Sequence, residues 1–502
     1  MPQPWEIENL LEIQNNQLHI DGVAAVDLAR AHGTPLFVFS ERRIRHNIER
    51  LKRAETLIAC PLKICYAAKA MSTMGILKAV KDAGSDIEVN SGGELWKALE
   101  IGFLGGQIIF NGTSKEIWEL EKAIGAEIYA IQVDSTLELA LIEDTAKRLN
   151  KRANVSLRLV PEIESNTHSG LQTALLTSKF GMMPGEALAA FREYKASPHL
   201  NLAGIHLHIG SQNPSAAGYA EALQILFHNL LQIFNETGVK LSHINIGGGF
   251  PVNYLRDDTL ADAFPDEQRE MFAADFDPAD AIKNAWDVVT RSAESANASA
   301  LLDNITLLLE PGRSIIADAG ICLTSVRNIK QRPLKSTAVR GTAAVPAAVS
   351  PASGRQIDSA AGRSQDSQRD AGGTDTWVLT DAGFNILLSM VTYNWYYHLI
   401  SAERSGDEHT YPYKLAGPLC DGGDVYFDIE GHGHLPEYRL LPPSVKLGEV
   451  LALLNCGAYS LAQASQYNAR FLPPVVLIKQ NGNAELIRRR DNFQDLVGSD
   501  IY

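Results

Sequence analysis

A lysine and a glutamate, each at the end of an apolar run, could together support chemistry on an amine. Lys69 lies just after the apolar run LKICYA. Loss of water around an amine lowers its pKa and makes it nucleophilic, although a lysine at a strand end can equally be a surface residue. Glu310 ends the apolar run ITLLLE. A buried carboxylate there requires a cationic partner, which could also be an arginine in a structural ion pair.

A glycine triplet and two polar residues indicate binding of an anion and of a flat ring. Gly247 to Gly249 follow the run HINI. Such glycines let backbone N–H groups approach a phosphate, and they also suit a tight turn with positive φ. In HLHIGSQ, Ser211 could add a hydroxyl to the same phosphate, and His208 offers an aromatic face or is simply a packed histidine. No His, Cys or Asp cluster has the spacing of metal ligands, so the sequence predicts no metal site.

These features together fit one small molecule. It needs a carbonyl for Lys69, a phosphate for the glycines, an aromatic face for His208 and a ring nitrogen for Glu310. Pyridoxal 5′-phosphate has all four groups, and it withdraws electrons from carbanions that form at the α-carbon of amino acids. The residues therefore predict a pyridoxal phosphate site.

The first two-thirds of the chain alternates apolar runs with helical patterns. Parallel strands that are buried on both faces are nearly continuous in apolar residues, as these runs are. Eight of them predict an α/β fold with a parallel (β/α)₈ barrel, with an open doubly wound sheet as the alternative. In a barrel the carboxyl ends of the strands meet at one mouth, where the polar residues above would gather. The runs lie at 62–67, 86–89, 107–110, 128–133, 155–159, 203–209, 243–246 and 305–310.

After Cys322 the pattern changes to short β-type segments separated by Gly, Pro and Asp, which predicts a C-terminal antiparallel β domain. The short strand NQLHIDGV near the N-terminus is expected to join it. We therefore divide the chain into an N-terminal segment 1–36, a barrel 37–318 and a β domain 319–502. Residues 335–376 have few large apolar side chains, so we expect a mobile insertion between two strands.

Composition excludes several classes of protein. The 502 residues include 45 Lys and Arg against 59 Asp and Glu, a net charge of −14, so a nucleic-acid partner is not expected. No apolar run approaches the roughly 20 residues of a membrane span, and the N-terminus does not read as a signal peptide. The five cysteines are scattered, without a disulfide framework, which favours a reducing cytoplasm.

The motifs and their order resemble the barrel-type pyridoxal phosphate decarboxylases. This family includes diaminopimelate, ornithine and arginine decarboxylases and shares its barrel with alanine racemase. The resemblance implies a carboxy-lyase that acts on an amino acid, with an alanine racemase-like barrel followed by a β domain. The matching motifs are YAAKA (66–70), NSGGEL (90–95), HLHIGSQ (206–212), NIGGGFP (245–251), EPGR (310–313), TDAGFN (380–385), GPLCDGGD (417–424) and GAYS (457–460).

The resemblance also implies roles around the cofactor. Lys69 would be the Schiff-base lysine, Glu310 would pair with the pyridine nitrogen, and His208 would stack on the ring. Arg158 would lie near the ring hydroxyl. The residues expected at the phosphate are Ser211, Gly248, Gly249, Gly312 and Tyr459.

In this family the active site is shared across a head-to-tail homodimer. The resemblance implies that Cys420 of the partner subunit protonates the decarboxylated α-carbon, although an ordinary cysteine is more often a buried structural thiol. Asp421 of the partner subunit would face the distal amine of the substrate. Arg313 and Tyr393 would contact the substrate directly.

Two differences from the usual sequence of diaminopimelate decarboxylases concern the choice of substrate. Diaminopimelate decarboxylases usually have Cys-Glu-Ser where this chain has Cys420, Asp421 and Gly422, and an arginine where an ungapped alignment gives Ser389. Because guanidinium groups bind carboxylates strongly, its loss favours a diamino acid without a second carboxylate. The chain thus looks most like bacterial D-ornithine/D-lysine decarboxylases, which produce putrescine and cadaverine. The alternatives are a meso-diaminopimelate decarboxylase that makes L-lysine, a racemase, and a catalytically inactive regulatory relative.

Overall fold

The computed structural model describes residues 2–160, 178–256, 260, 263–333 and 374–501. Within these residues, no helix has both the length and the apolar character needed to cross a membrane. All five cysteines are free thiols.

The chain begins with a small antiparallel sheet of three strands. Buried side chains of this segment share an apolar cluster with later strands, and Leu18 N–H donates to the carbonyl of Ala402 at 2.9 Å. The segment 16–23, which we predicted to join the β domain, packs on that domain as part of a separate sheet. The first elements are β1 (Leu11–Gln14), β2 (Gln17–Ile20), β3 (Val23–Ala24), α1 (Ala25–His32) and β4 (Leu36–Ser40).

Eight parallel strands then form a closed barrel, which confirms the predicted fold and excludes the open sheet. Closure is visible in the register, where Leu307 of the last strand is the partner of Leu62 of the first. The strands are β5 (Leu62–Ala67), β6 (Asp86–Val89), β7 (Ile108–Phe110), β8 (Ala130–Val133), β9 (Ala153–Arg158), β10 (Leu200–His206), β11 (His243–Asn245) and β12 (Thr306–Leu309).

Helices surround the barrel and bury one apolar face each. In the longest one, buried Leu223, Leu226, Phe227 and Leu230 recur every three or four residues, the spacing that predicted this helix. The helices are α2 (Glu41–Ile58), α3 (Met74–Asp82), α4 (Gly92–Glu100), α5 (Ile117–Gly125), α6 (Thr136–Arg148), α7 (Pro184–Tyr194), α8 (Ala217–Thr237), α9 (Asp266–Ala273), α10 (Pro278–Ser295) and α11 (Arg313–Ile316).

The same short sequence pattern begins two helices that follow strands at the barrel mouth. In α4, Ser91 Oγ accepts from Glu94 N–H at 3.2 Å, and Glu94 in turn accepts from Asn90 N–H at 2.8 Å. In α6, Ser135 and Glu138 form the corresponding bond at 3.2 Å. A serine followed three residues later by a glutamate satisfies free N–H groups of the first turn. These caps fix where the chain leaves β6 and β8.

Among the described residues, nine strands form a further sheet, most of them from the chain after the barrel. Most of its pairs are antiparallel, as predicted, but β4 with β19 and β14 with β16 are parallel. β4 (Leu36–Ser40) lies in this sheet, whereas our division assigned residues from 37 onward to the barrel. The later elements are β13 (Gly320–Pro333), β14 (Thr374–Thr380), α12 (Ser389–Thr392), β15 (Leu399–Ser401), β16 (Tyr411–Ala416), β17 (Arg439–Leu441), β18 (Val450–Leu453), β19 (Val475–Ile478), β20 (Ala484–Arg488) and α13 (Phe493–Val497).

Residues 335–373 of the predicted insertion lie outside the described residues. Its last three residues, 374–376, belong to β14. The two strands that flank the insertion pair with each other, and Pro333 is the partner of Thr374.

Candidate active site

Two buried glutamates from opposite parts of the barrel sequence meet at the mouth. Glu88 lies in β6, and Glu310 follows β12. The amide of Asn111 donates to both, to Glu88 Oε1 at 2.7 Å and to Glu310 Oε2 at 2.9 Å. One amide group therefore fixes the separation of two carboxyl groups at the mouth.

Glu310 lies in a polar but buried environment. Asn245 Nδ2 donates to its Oε1 at 2.7 Å, and His206 Nε2 lies 3.7 Å from its Oε2. Burial raises the pKa of Glu310 to about 7, and the charge of Glu88 acts in the same direction. A cationic group at this position would oppose both effects and favour the ionised carboxylate.

Lys69 projects into the same cluster from the turn after β5. Its Nζ lies 3.9 Å from Glu88 Oε1, and its side chain is 43% exposed. Desolvation acts to lower the pKa of Lys69, but Glu88, Tyr459 and Glu310 outweigh it, and the pKa is raised. Our expectation of a lowered pKa is therefore wrong, because it did not include these acidic neighbours.

His208 is fixed by the glycine turn. Gly248 N–H donates to His208 Nδ1 at 3.1 Å, so Nδ1 carries no proton. Burial lowers the pKa of His208 well below its ordinary value. The ring is thus neutral and oriented by the backbone of the turn that we predicted to bind phosphate.

The glycine turn brings backbone unusually close to its neighbours. Gly247 and Gly249 have φ of 69° and 95°, where side chains are disfavoured. A Cβ on Gly248 would lie 2.2 Å from the carbonyl oxygen of Glu310. The triplet is therefore required both by conformation and by this contact.

Arg313 is held at the mouth by aromatic rings and two hydrogen bonds. Its Nε donates to Ser211 Oγ at 3.2 Å, and its Nη1 donates to the Tyr254 hydroxyl at 2.9 Å. The guanidinium carbon lies 4.1 Å from the ring centre of Trp395 and 4.9 Å from that of Tyr459. A planar cation in this cage is well oriented to meet a carboxylate.

The sheet domain contributes Tyr459 to the mouth. Tyr459 N–H donates to the carbonyl of Ala70 at 2.9 Å, one residue beyond Lys69. A Cβ on Gly312 would lie 3.3 Å from the Tyr459 hydroxyl. The structure therefore brings Gly312 and Tyr459 together, as the resemblance implied.

Arg158 is buried at the end of β9. Its guanidinium lies 4.2 Å from the ring centre of Phe180. Burial lowers the pKa of Arg158, although Asp134, Glu310 and Glu88 oppose this effect. It adds a positive charge to a mouth rich in carboxylates.

Cys420 and Asp421 lie on an exposed loop of the sheet domain. Cys420 N–H donates to Asn468 at 2.8 Å, and the Tyr467 hydroxyl donates to Asp421 at 3.1 Å. The loop is anchored by Asp424, which is buried. The contacts described for Cys420 and Asp421 are thus with the sheet domain, and their link to the mouth stays a prediction.

Ser389 is buried and engaged within the chain. Its hydroxyl donates to the carbonyl of Tyr459 and to Gln463 Oε1, both at 3.2 Å. Tyr393 follows α12 and lies partly buried against the core. Ser389 therefore supports the backbone of Tyr459, and the role of Tyr393 toward a substrate stays a prediction.

Three buried polar residues at the barrel mouth were not predicted from the sequence. Glu88, His206 and Asn245 are buried polar residues inside apolar strands. The signal was available, because an acid, a histidine and an amide interrupt runs that would otherwise be apolar throughout. A polar residue in a doubly buried strand requires a partner, which the barrel interior supplies.

Pyridoxal 5′-phosphate fits the residues at the mouth. The glycine turn and Gly312 form a cradle without side chains, and Lys69 and Glu310 supply an amine and a buried carboxyl group. Among the described residues, Glu88 Oε2 and both ring nitrogens of His206 are buried without a hydrogen-bond partner. The fold and the site thus define a barrel enzyme of the pyridoxal phosphate class.

Comparison with known proteins supports the pyridoxal phosphate class and narrows it to one family. Residues 43–317 match the family model described as "Pyridoxal-dependent decarboxylase, pyridoxal binding domain". The match covers more than half of the chain. The chain belongs to this family, and it is a pyridoxal phosphate-dependent carboxy-lyase that acts on an amino acid.

Several relatives match over nearly their whole length. Diaminopimelate decarboxylase of Methanocaldococcus jannaschii is 31% identical over 98% of this chain and 96% of its own. The Bacillus subtilis enzyme of the same name is 30% identical over 97% and 96%. A crystal structure of the M. jannaschii enzyme superposes with a TM-score of 0.77, at 31% identity over 98% of both chains. A second structure of that enzyme, with a TM-score of 0.76 and 30% identity over 98% of both chains, contains L-lysine.

Proposed function

We propose that the protein decarboxylates a small diamino acid, with meso-diaminopimelate as the first candidate. Support comes from the near full-length similarity to diaminopimelate decarboxylases, and from the L-lysine complex of the M. jannaschii relative. The single observation that carries the proposal is the mouth cluster, in which Lys69, Glu88 and Glu310 meet beside the glycine turn.

Different residues of the chain would bind different parts of the cofactor. The turn 247–249, Gly312 and Tyr459 would hold the phosphate, and Glu310 would accept the ring nitrogen. Lys69 would carry the cofactor through its amine. When bound, pyridoxal phosphate supplies a ring that accepts the electron pair left at the α-carbon as CO₂ departs.

Arg313 and the exposed loop would act on the substrate. Arg313 is oriented by Tyr254 and Trp395, so its guanidinium is preorganised for a carboxylate. Cys420 of the partner subunit would return a proton to the α-carbon, and Asp421 of the partner subunit would bind the distal amine. This assignment requires a homodimer, which we therefore propose. We also propose a reducing cytoplasm as the location of the protein, as the scattered cysteines predicted.

D-ornithine and D-lysine form the second candidate pair. Support for them comes from Ser389, which an ungapped alignment places where diaminopimelate decarboxylases usually have an arginine. Its hydroxyl is already bonded to Tyr459 and Gln463. A substrate without a second carboxylate would not need a cation there.

Product analysis separates the two candidates. The purified protein, loaded with pyridoxal phosphate, would be incubated separately with meso-diaminopimelate and with D- and L-ornithine and D- and L-lysine. We expect L-lysine from diaminopimelate as the main product by mass spectrometry. Putrescine or cadaverine from the D-isomers, with diaminopimelate unchanged, would overturn the first candidate and establish the second.

A further inference from the structure

A loop of the sheet domain, shortly after the motif GPLCDGGD (417–424) but outside every motif given above, gathers three metal-ligating side chains. Asp428, His432 and His434 lie in the segment 428–434 between β16 and β17, and one ligand atom of each lies within 4.8 Å of the others. The sequence predicted no metal site, because this spacing differs from common zinc motifs. The folded loop nevertheless brings two imidazoles and a carboxylate together.

Two glycines shape this loop. Gly431 and Gly433 both have φ of 76°, a conformation that favours glycine. They flank His432, and the rings of His432 and His434 lie 5.7 Å apart between centres. The Gly-His-Gly-His sequence thus folds back so that its two imidazoles are neighbours.

Asp428 organises the loop from its first position. Its Oδ1 accepts from Glu430 N–H at 2.9 Å, and its Oδ2 accepts from His434 N–H at 3.2 Å. A carboxylate oxygen can accept more than one bond, so each oxygen keeps a lone pair. The carboxylate can therefore bind a cation without breaking the turn.

Each histidine also has an outer partner on one ring nitrogen. His432 Nδ1 lies 3.3 Å from Glu430 Oε2, and His434 Nδ1 lies 2.8 Å from Gln268 Nε2. Metal-bound histidines usually donate the N–H of their second ring nitrogen to such a partner, which fixes the ring, and Glu430 can accept from His432 in this way. The Gln268 amide nitrogen is a donor, so for His434 the same arrangement requires the amide to turn by 180°. Its Oε1, which is buried without a hydrogen-bond partner, would then accept from Nδ1–H and leave Nε2 for an ion.

We propose that Asp428, His432 and His434 form a binding site for a divalent transition metal of the Zn²⁺ class. Two imidazoles and one carboxylate are a ligand set that such ions accept, with a water completing the coordination. None of its three ligands belongs to the residues assigned to the decarboxylase site. Because Gln268 belongs to α9 of the barrel, a bound ion would stabilise the contact between this helix and the sheet domain.

The link to α9 extends toward the mouth. Phe272 of α9 packs edge-on against Trp395, with ring centres 5.3 Å apart, and Trp395 lies over Arg313. The metal site would therefore hold one end of a helix whose other end supports the cage of Arg313. The expected role is structural.

The test is zinc binding by the full chain loaded with pyridoxal phosphate. After removal of metals by dialysis, ZnCl₂ is titrated against a chromophoric chelator, and Co²⁺ is used as a spectroscopic probe. We expect one zinc ion per chain and a Co²⁺ absorption spectrum typical of nitrogen and oxygen ligands. His432→Ala and His434→Ala should each weaken binding by at least about tenfold, and Gln268→Leu by about tenfold.

Two controls separate this site from other sources of metal binding. His228→Ala removes an exposed histidine of α8, and Cys420→Ser removes the exposed thiol; both should bind zinc as the wild type does. Zinc binding should also raise the unfolding temperature of the wild type but not that of the double variant His432→Ala/His434→Ala.

Three outcomes would overturn the proposal. They are equal zinc binding by the wild type and the double variant, loss of binding in Cys420→Ser, and absence of binding by the wild type. Far-ultraviolet circular dichroism and cofactor absorbance of each variant show that a loss of zinc is not a loss of fold.

Discussion

The barrel mouth and the loop 420–424 carry the two parts of the candidate chemistry, and they are built differently. At the mouth, Glu88 and Glu310 are buried and joined by Asn111, so strand register fixes their positions. On the loop, Cys420 is exposed, and the buried Asp424 anchors the segment through two backbone N–H groups. We therefore expect one chain to hold the cofactor, whereas the role proposed for the loop requires the mouth of a partner subunit.

The largest effect is expected at Lys69. Lys69→Ala should lower the decarboxylation rate by about a thousandfold or more, because the amine that carries the cofactor is lost. The rate is measured as CO₂ release with the substrate identified above. Lys78→Ala, at an exposed lysine of α3, is the matched control and should keep full activity. Retention of a tenth of the activity by Lys69→Ala would contradict the assignment.

Cys420→Ala tests the exposed loop 420–424. Loss of a proton donor should lower kcat by about 10²–10⁴-fold. Cofactor absorbance should stay unchanged, because Cys420 is exposed on the sheet domain. A variant that lost its cofactor would show that the loop also builds the mouth. Cys420→Ser should have an intermediate rate.

A mixing experiment asks whether the two regions meet across subunits. In dimers that form at random from Lys69→Ala and Cys420→Ala chains, half are mixed and each has one intact site, so about a quarter of the activity should return. Mixing Lys69→Ala with the double variant Lys69→Ala/Cys420→Ala should restore nothing. If the first mixture also stays inactive after subunit exchange is shown, the shared site is wrong.

Glu310→Gln tests the electrostatics of the mouth. A carboxyl whose pKa is raised on folding stabilises the protein below the unfolded pKa, and this contribution is lost as pH rises toward the folded value. For Glu310 the window runs from about 4.5 to about 7. In cofactor-free protein, wild type and variant should be equally stable below this window. Above it the variant should be more stable, by up to about 3 kcal/mol in chemical unfolding. A pH-independent difference would contradict the raised pKa.

The smallest effect is expected at the anchor of the loop. Asp424 accepts from Phe384 N–H at 2.8 Å and from Leu419 N–H at 2.7 Å. Asp424→Asn replaces one acceptor by a donor and should cost about 1–3 kcal/mol of unfolding free energy. The exposed neighbour in Asp421→Asn should change stability by less than about 0.5 kcal/mol. Equal effects at the two positions would show that Asp424 is not the anchor.

Much of the barrel could be predicted because its signals are local. Each parallel strand is buried on both faces, so it is apolar throughout, and the eight predicted runs overlap the eight observed strands. The predicted pyridoxal phosphate also followed from local motifs around Lys69 and the turn 247–249. The raised pKa of Lys69 could not be predicted, because Glu88 reaches it only through the pairing of β5 with β6, and Glu310 only after the barrel has closed.

The sequence by itself determined the strands, the glycine turn and the kind of chemistry, since these depend on residue type and on spacing along one segment. Only the tertiary structure decided which polar and charged side chains meet. Asn111 and Glu310 are 199 residues apart in the chain, yet their side chains bond at 2.9 Å. The same holds for Gln268 and His434, which are 166 residues apart and lie on different domains. Electrostatic energy depends on distance in space, and distance in space follows from strand register and domain packing, which no short segment encodes.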